Sequence, residues 1–359
     1  MKKIAFIVGT RPEIVKLAPV IEATAKLIGY APYVISTGQQ GQLLNKTLLE
    51  FNIEPNIEID VKFETTLLTE QFGNLVKHVG YCIQKSDSRY VVIQGDTSSA
   101  FAGAVAGYLL NIPVGHVEAG LRSNDLSSPF PEEGYRTMIS RIARHHFAPT
   151  AEAVKNLLAE RISKEDIHLV GNTIVDSILA YSSPKSLTSN VKKVLVTLHR
   201  RESFGQPIRD IVNAIRDFSL EELDTDINVI IHPNPNSGLV MKEILSDLVN
   251  VNLMNPLSYK DLLHEIRTSN LVLTDSGGIQ EECAVIGTNL LIARNETERP
   301  EVLSETRRLI GTSRNEVYSN LKAEVKEGLR VSNYSAFNLS ILGDGQSSSR
   351  ICKVIRDSI

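Results

Sequence analysis

Apolar residues along this chain come in short unbroken runs, separated by longer stretches in which they recur every three or four positions. The runs IAFIV at 4–8, VVI at 91–93 and LVL at 271–273 lack the alternation of a half-exposed strand and fit strands covered on both faces. The longer stretches fit helices with one buried side. In the first half KKIAFIVG leads into the helix RPEIVKLAPVIEATAK, and APYVISTG is followed by a longer helix around QFGNLVKHVGYCI. RYVVIQGD leads into TSSAFAGAVAGYLL, and IPVGHVEAG into a helix within GYRTMISRIARHH, with HHFAP and IHLVGN as closing strands. The polar, Pro-containing SSPKSLTSN at 182–190 breaks the pattern. Beyond it the alternation restarts with KVLVTLH, NVIIHP, VNLMN, NLVLTD, NLLIA and RLIG. The pattern predicts an α/β protein with two Rossmann-like domains of mostly parallel sheet facing across a cleft. Their boundaries are 1–181, a linker at 182–192, and 193–359, with the last helix able to pack back on the first domain.

Composition narrows the picture. The 359 residues are 42% hydrophobic and carry a formal net charge of −4, ample for a core in each half and unlike a nucleic-acid or acidic-membrane binder. Arg11, Pro12 and Glu13 interrupt the first apolar run, so it reads as a strand and not a signal peptide. No run approaches the ~20 apolar residues of a membrane span. Cys82, Cys283 and Cys352 are odd in number and lack metal-ligand spacing. A cytoplasmic location with reduced thiols is expected, with no nucleic-acid or membrane partner.

In doubly wound sheets ligands bind where strands end and helices begin, so the strand-to-helix junctions carry the candidate chemistry. At VGTRPEIVK, Thr10 and Glu13 fit a capping box and Pro12 a first helical turn. Arg11 and Lys16 lie in the first turns, where the helix dipole already favours an anion. At LTDSGGIQEECAVIG, Ser276, Gly277 and Gly278 open a helix whose bare backbone N–H groups suit a phosphate. Glu281 and Glu282, one turn in, would repel it; Glu282 fits ribose hydroxyls instead. Diphosphate and ribose together imply a nucleotide, yet no G-x-G-x-x-G opens either domain, so no dinucleotide and no other cofactor is expected. Arg299, in NETERPEV, is a candidate charge partner for phosphate, and His199 closes a strand beside Arg200 and Arg201.

The remaining junctions are acidic. Asp96 follows the strand RYVVIQ, where it either caps the next helix with Thr97 and Ser98 or does chemistry. Glu118, in HVEAGLR, closes the next strand, and Glu132 and Glu133 follow a short Pro- and Ser-rich loop. Carboxylates crowded on one rim should push one another's pKa values apart. A metal held by Asp96, His116 and Glu118 lacks supporting ligand spacing, so no metal is assigned. The His145–His146 pair reads as a helix end meeting a strand.

The motifs GTRPE, GDT, HVEAGLR, PFPEE, GNTIVDS, TLHRRES, LTDSGGIQEE and ERPE, in this order, resemble those of the non-hydrolysing UDP-N-acetylglucosamine 2-epimerases. The resemblance implies two Rossmann-like domains arranged as in GT-B glycosyltransferases, usually as a homodimer, with a UDP-sugar as substrate. It implies reversible epimerisation at C2, by elimination of UDP to a 2-acetamidoglucal and its re-addition, for a bacterial surface glycan. Asp96, Glu118, Glu132 and His199 match the family's catalytic positions. Arg11, Ser276, Gly277, Glu282 and Arg299 match positions that hold UDP, and Lys16 and Gly278 join them by their place at the junctions.

One departure stands out. Where the family usually reads T-[AG]-Q-H-R, beside a second, activating substrate molecule, this chain reads TGQQGQ at 37–42. Gln39, Gln42 and His232 are the candidate regulatory residues, but Gln40 and Gly41 replace the basic pair, which weakens the case for substrate activation or points to another C2 substituent. The rivals are a hydrolysing epimerase releasing UDP and N-acetylmannosamine, a GT-B glycosyltransferase, and a non-catalytic UDP-sugar-binding protein. The division of labour between base and acid stays open.

Overall fold

The computed structural model describes residues 1–59, 67–182, 192–200, 204–232, 234–326, 339 and 342–359. It divides into two compact units, Met1–Ala180 with Leu342–Ile359, and Tyr181–Ile341. Linker residues 183–191 and Arg201 lie outside the described residues.

In the first unit a sheet of seven strands, β1 (Lys2–Val8), β2 (Tyr30–Ser36), β3 (Ile57–Glu58), β4 (Ser88–Gln94), β5 (Val114–Val117), β6 (His145–Ala148) and β7 (Ile167–Leu169), has the order β3-β2-β1-β4-β5-β6-β7. Every pairing in it is parallel. From Ile4 to Val8, β1 is buried without interruption, as a strand covered on both faces must be. Helices α1 (Arg11–Ala25), α2 (Gln42–Glu50), α3 (Leu68–Ser86), α4 (Ser98–Leu109), α5 (Glu132–Ile142), α6 (Ala151–Ala159) and α7 (Thr173–Tyr181) connect the strands. The Ala- and Gly-rich α4 packs Ala100 and Ala104 into a core with Ile7, Val91 and Ile93. Short α2 and β3 were not legible in the sequence, because nine and two residues give too little periodicity.

The second sheet joins β8 (Lys192–Thr197), β9 (Thr225–Ile230), β10 (Val251–Met254), β11 (Leu271–Thr274), β12 (Asn289–Ile292) and β13 (Arg307–Leu309) in the order β10-β9-β8-β11-β12-β13, again with parallel pairings. Its helices are α8 (Gln206–Glu221), α9 (Pro235–Leu245), α10 (Tyr259–Thr268), α11 (Gly277–Ile286) and α12 (Arg314–Lys326). Val196, Ile215, Phe218, Val229 and Leu291 sit in its core. The last helix, α13 (Ser347–Ser358), belongs to the first unit, packs on α1 and ties its own first turn to Asp176 of α7. Strand order reverses direction between β1 and β4 and again between β8 and β11, the switch points at which such sheets bind ligands.

His145 and His146 belong to β6, past the end of α5, and are buried with His116 of β5. Burial pushes the pKa of His116 and His145 down to about 4 and of His146 to about 3. Because the folded values lie below the unfolded value of about 6.5, the unfolded chain binds more protons between those limits. Glu13, with a carboxyl raised to about 7, acts in the opposite direction. Three histidines stand against one carboxyl, so stability is expected to drop as pH falls from about 6.5 toward 4, with His116 alone contributing about 3 kcal/mol. Urea unfolding at pH 7.5, 6 and 5 checks this, and an unchanged midpoint would contradict it.

Candidate active site

At the β1–α1 turn, Glu13 accepts hydrogen bonds from the Gly9 and Thr10 amides at 2.8 and 2.6 Å and from the Thr97 hydroxyl at 2.7 Å. One carboxylate thus joins the junctions after β1 and β4. Glu13 is fully buried, and desolvation raises its pKa to about 7 against those three donors.

Thr97, and not Asp96, caps α4: its hydroxyl accepts from the Ala100 amide at 3.0 Å. Asp96 stays about a quarter exposed and pairs with Arg136 of α5. The same guanidinium approaches Glu133 at 3.1 Å, while Glu133 also accepts from the Ser123 and Asn124 amides at 3.0 and 3.1 Å. Buried Glu133 is thereby committed to closing the preceding loop, whereas its neighbour Glu132, the first residue of α5, is only half-buried.

Glu118 follows β5 in the left-handed region, with φ of 67°. Its two oxygens accept from the buried Lys16 ammonium and from the side-chain amide of Gln94. Adjacent strands bring Asp96 and Glu118 to one edge, with the Gly95 amide on the Val117 carbonyl at 3.0 Å. Across this edge Asp96 and Glu118 each meet a cation, Arg136 and Lys16. His116 donates Nε2–H to the Gly95 carbonyl at 2.8 Å, which turns that nitrogen away from any ligand role. Lys16, read from the sequence with the phosphate-binding residues, pairs with Glu118.

In the loop after β2, Gln39 accepts from the Ser99 hydroxyl at 2.6 Å, and Gln40 accepts from the Arg11 amide at 2.7 Å. Both brace the β1 and β4 junctions, while Gln42 is exposed at the start of α2.

The second unit carries the other group. Asp275, fully buried after β11, accepts from the amides of His199 at 3.0 Å and Arg200 at 3.0 Å. It thereby holds the end of β8, and the His199 ring stacks on His232 with centroids 5.3 Å apart. Ser276 is the N-cap of α11 and donates its amide to the Thr274 hydroxyl at 3.0 Å. A Cβ on Gly278 would meet nothing within 4 Å, so there is open space beside this residue of the first turn. Glu282 is buried within α11. Arg299 bonds Glu281 at 2.6 Å and also meets Glu298.

The sequence pattern of the UDP-N-acetylglucosamine 2-epimerase family matches residues 26–356. The chain belongs to that family. It is 35% identical to the UDP-N-acetylglucosamine 2-epimerase of Escherichia coli K12, over 99% of both chains. The crystal structure of the Neisseria meningitidis UDP-GlcNAc 2-epimerase, bound to UDP-GlcNAc, superposes with a TM-score of 0.92 at 30% identity, covering 99% of this chain and 100% of that one. The S. aureus MnaA–UDP co-structure gives 0.92 at 35% identity, covering 100% and 97%. No described helix of the chain is long and apolar enough to cross a membrane.

Sequence reasoning passed over several groups that shape the two junctions: Gln94, Arg136, Asp275 and Glu298. Arg136 and Glu298 stand inside quoted motifs or one turn beyond them. Their signal was proximity to a motif, which does not say which side chain they meet.

Proposed function

We propose that the enzyme epimerises UDP-N-acetylglucosamine reversibly to UDP-N-acetylmannosamine without releasing free sugar. The C2–H bond breaks toward a carboxylate, the C1–O bond breaks with its electron pair leaving on UDP, and a C1–C2 double bond forms. Re-addition of UDP with a proton delivered to the opposite face of C2 completes the exchange. The carrying observation is the pair of cation-backed carboxylates, Glu118 on Lys16 and Asp96 on Arg136, at the ends of adjacent strands. Carboxylates held at one edge in this way can take a proton from carbon and return one. Half-buried Glu132 joins them.

In this reading Arg11, Ser276, Gly277, Gly278 and Arg299 hold the diphosphate and Glu282 the ribose hydroxyls. His199, fixed by Asp275, serves the departing UDP. The product would feed a bacterial surface glycan, the enzyme acting in the cytoplasm as a homodimer.

Proton NMR of the protein with UDP-N-acetylglucosamine in D₂O tests this. The expected result is UDP-N-acetylmannosamine carrying deuterium at C2, with no free sugar accumulating. Free N-acetylmannosamine and UDP would place the chain on the hydrolysing branch.

A further inference from the structure

We propose that Glu298 is the positioning residue of the diphosphate site, gathering Arg200 and Arg299 beneath the first turn of α11. This rests on the assignment of UDP to the start of α11. The carboxylate of Glu298 is almost fully buried and meets three guanidiniums: Arg200 at 2.8 Å and Arg299 on Oε1, and Arg294 at 2.9 Å on Oε2. Arg200 follows β8 and Arg299 follows β12, so a single oxygen draws together cations from two strand ends. Two guanidiniums repel each other at such range unless an anion lies between them. Burial alone would raise the pKa of Glu298, but Arg299, Arg200 and Arg294 hold it well below the usual carboxylate range.

The position of Arg299 ties this cluster to α11. A Cβ added to Gly277 would lie 2.4 Å from its Nη1 and 2.9 Å from its Cζ. Glycine there lets the guanidinium fit against the turn whose amides have no intrahelical acceptor. Glu281 of α11 holds the Nε edge at 2.6 Å, so Arg299 is oriented from both sides.

The proposal predicts an effect opposite in sign to simple electrostatics. Glu298→Gln removes a negative charge near a bound anion, which by Coulomb attraction alone should tighten UDP binding. If Glu298 positions the arginines, the same change lets them separate and weakens UDP binding by about tenfold or more, the scale of a lost charge-assisted contact. Titration calorimetry with UDP reads the difference. KM for UDP-N-acetylglucosamine should rise in step and kcat should fall as well, because the departing UDP gains negative charge as the C1–O bond breaks and depends more strongly on the same arginines. Glu298→Asp, which keeps the charge and withdraws the carboxylate, should weaken binding too, and serves if Glu298→Gln folds poorly. Tighter or unchanged UDP binding in both variants would overturn the proposal. A Gly277→Ala variant that binds UDP as tightly as the wild type would overturn the placement of UDP at α11 itself.

Discussion

Glu118→Gln is expected to lower turnover by about 10²–10⁴-fold, the usual contribution of a general acid or base, and to destabilise the fold as well. The second effect follows from burial. The side chains of Lys16 and Glu118 are only 4% and 7% exposed, so the substitution leaves an ammonium buried against a neutral amide. Breaking a buried pair from one side costs about 3–5 kcal/mol. Replacing both charges should relieve that cost: Lys16→Met/Glu118→Gln is expected to recover most of the stability and none of the turnover. Urea unfolding beside the C2 deuterium-exchange assay separates the two. If the single variant keeps wild-type stability, the pair is not the buried contact described here. If it keeps wild-type turnover, Glu118 does not handle the C2 proton.

The second large effect is structural. Gly120, two residues after Glu118, has φ of 93°, a backbone conformation that L side chains rarely adopt. A Cβ there would lie 2.3 Å from the Ala153 carbonyl oxygen. That oxygen belongs to the backbone of α6, so no rotamer change can move it aside. The Gly120 carbonyl meanwhile accepts from the Asn156 side chain at 2.9 Å, one turn along the same helix. Gly120→Ala therefore combines backbone strain with overpacking, and about 2–5 kcal/mol of stability should be lost. Urea unfolding monitored by circular dichroism measures it. A loss below about 1 kcal/mol would show that α6 shifts freely on the sheet. Since α6 covers the small core of Ala119, Ala148 and Leu157, residual activity should fall with the displaced end of β5.

Both expectations combine something written locally in the chain with something it could not disclose. The HVEAGLR motif places a carboxylate and a glycine after a buried strand, and that much is legible from residue order. The partner of Glu118 lies 102 residues earlier, and that of Asp96 40 residues later. No periodicity links such positions. The same limit explains why Asp96 reads in sequence as a cap of α4 with Thr97 and Ser98 beside it, although the helix begins at Ser98 and the cap position falls to Thr97. Asp96 pairs with Arg136 instead, and the cap is made by Thr97. Composition does not separate Glu132 from Glu133; only the resemblance singles out Glu132, and in the fold the amides of Ser123 and Asn124 claim Glu133.

The sequence by itself determined the α/β class, the parallel sheets and the family, because strand burial and motif order are properties of neighbouring residues. It also marked Glu13 as a helix-capping residue, without showing that burial would raise its pKa to about 7. The tertiary structure decided which carboxylates stay at the rim and which become fastenings. It paired Lys16 with Glu118 and made Glu298 the meeting point of three arginines. The physical reason is that a charge is stabilised by what folding brings within a few ångströms of it, and a strand order that departs from chain order brings in residues from distant parts of the chain.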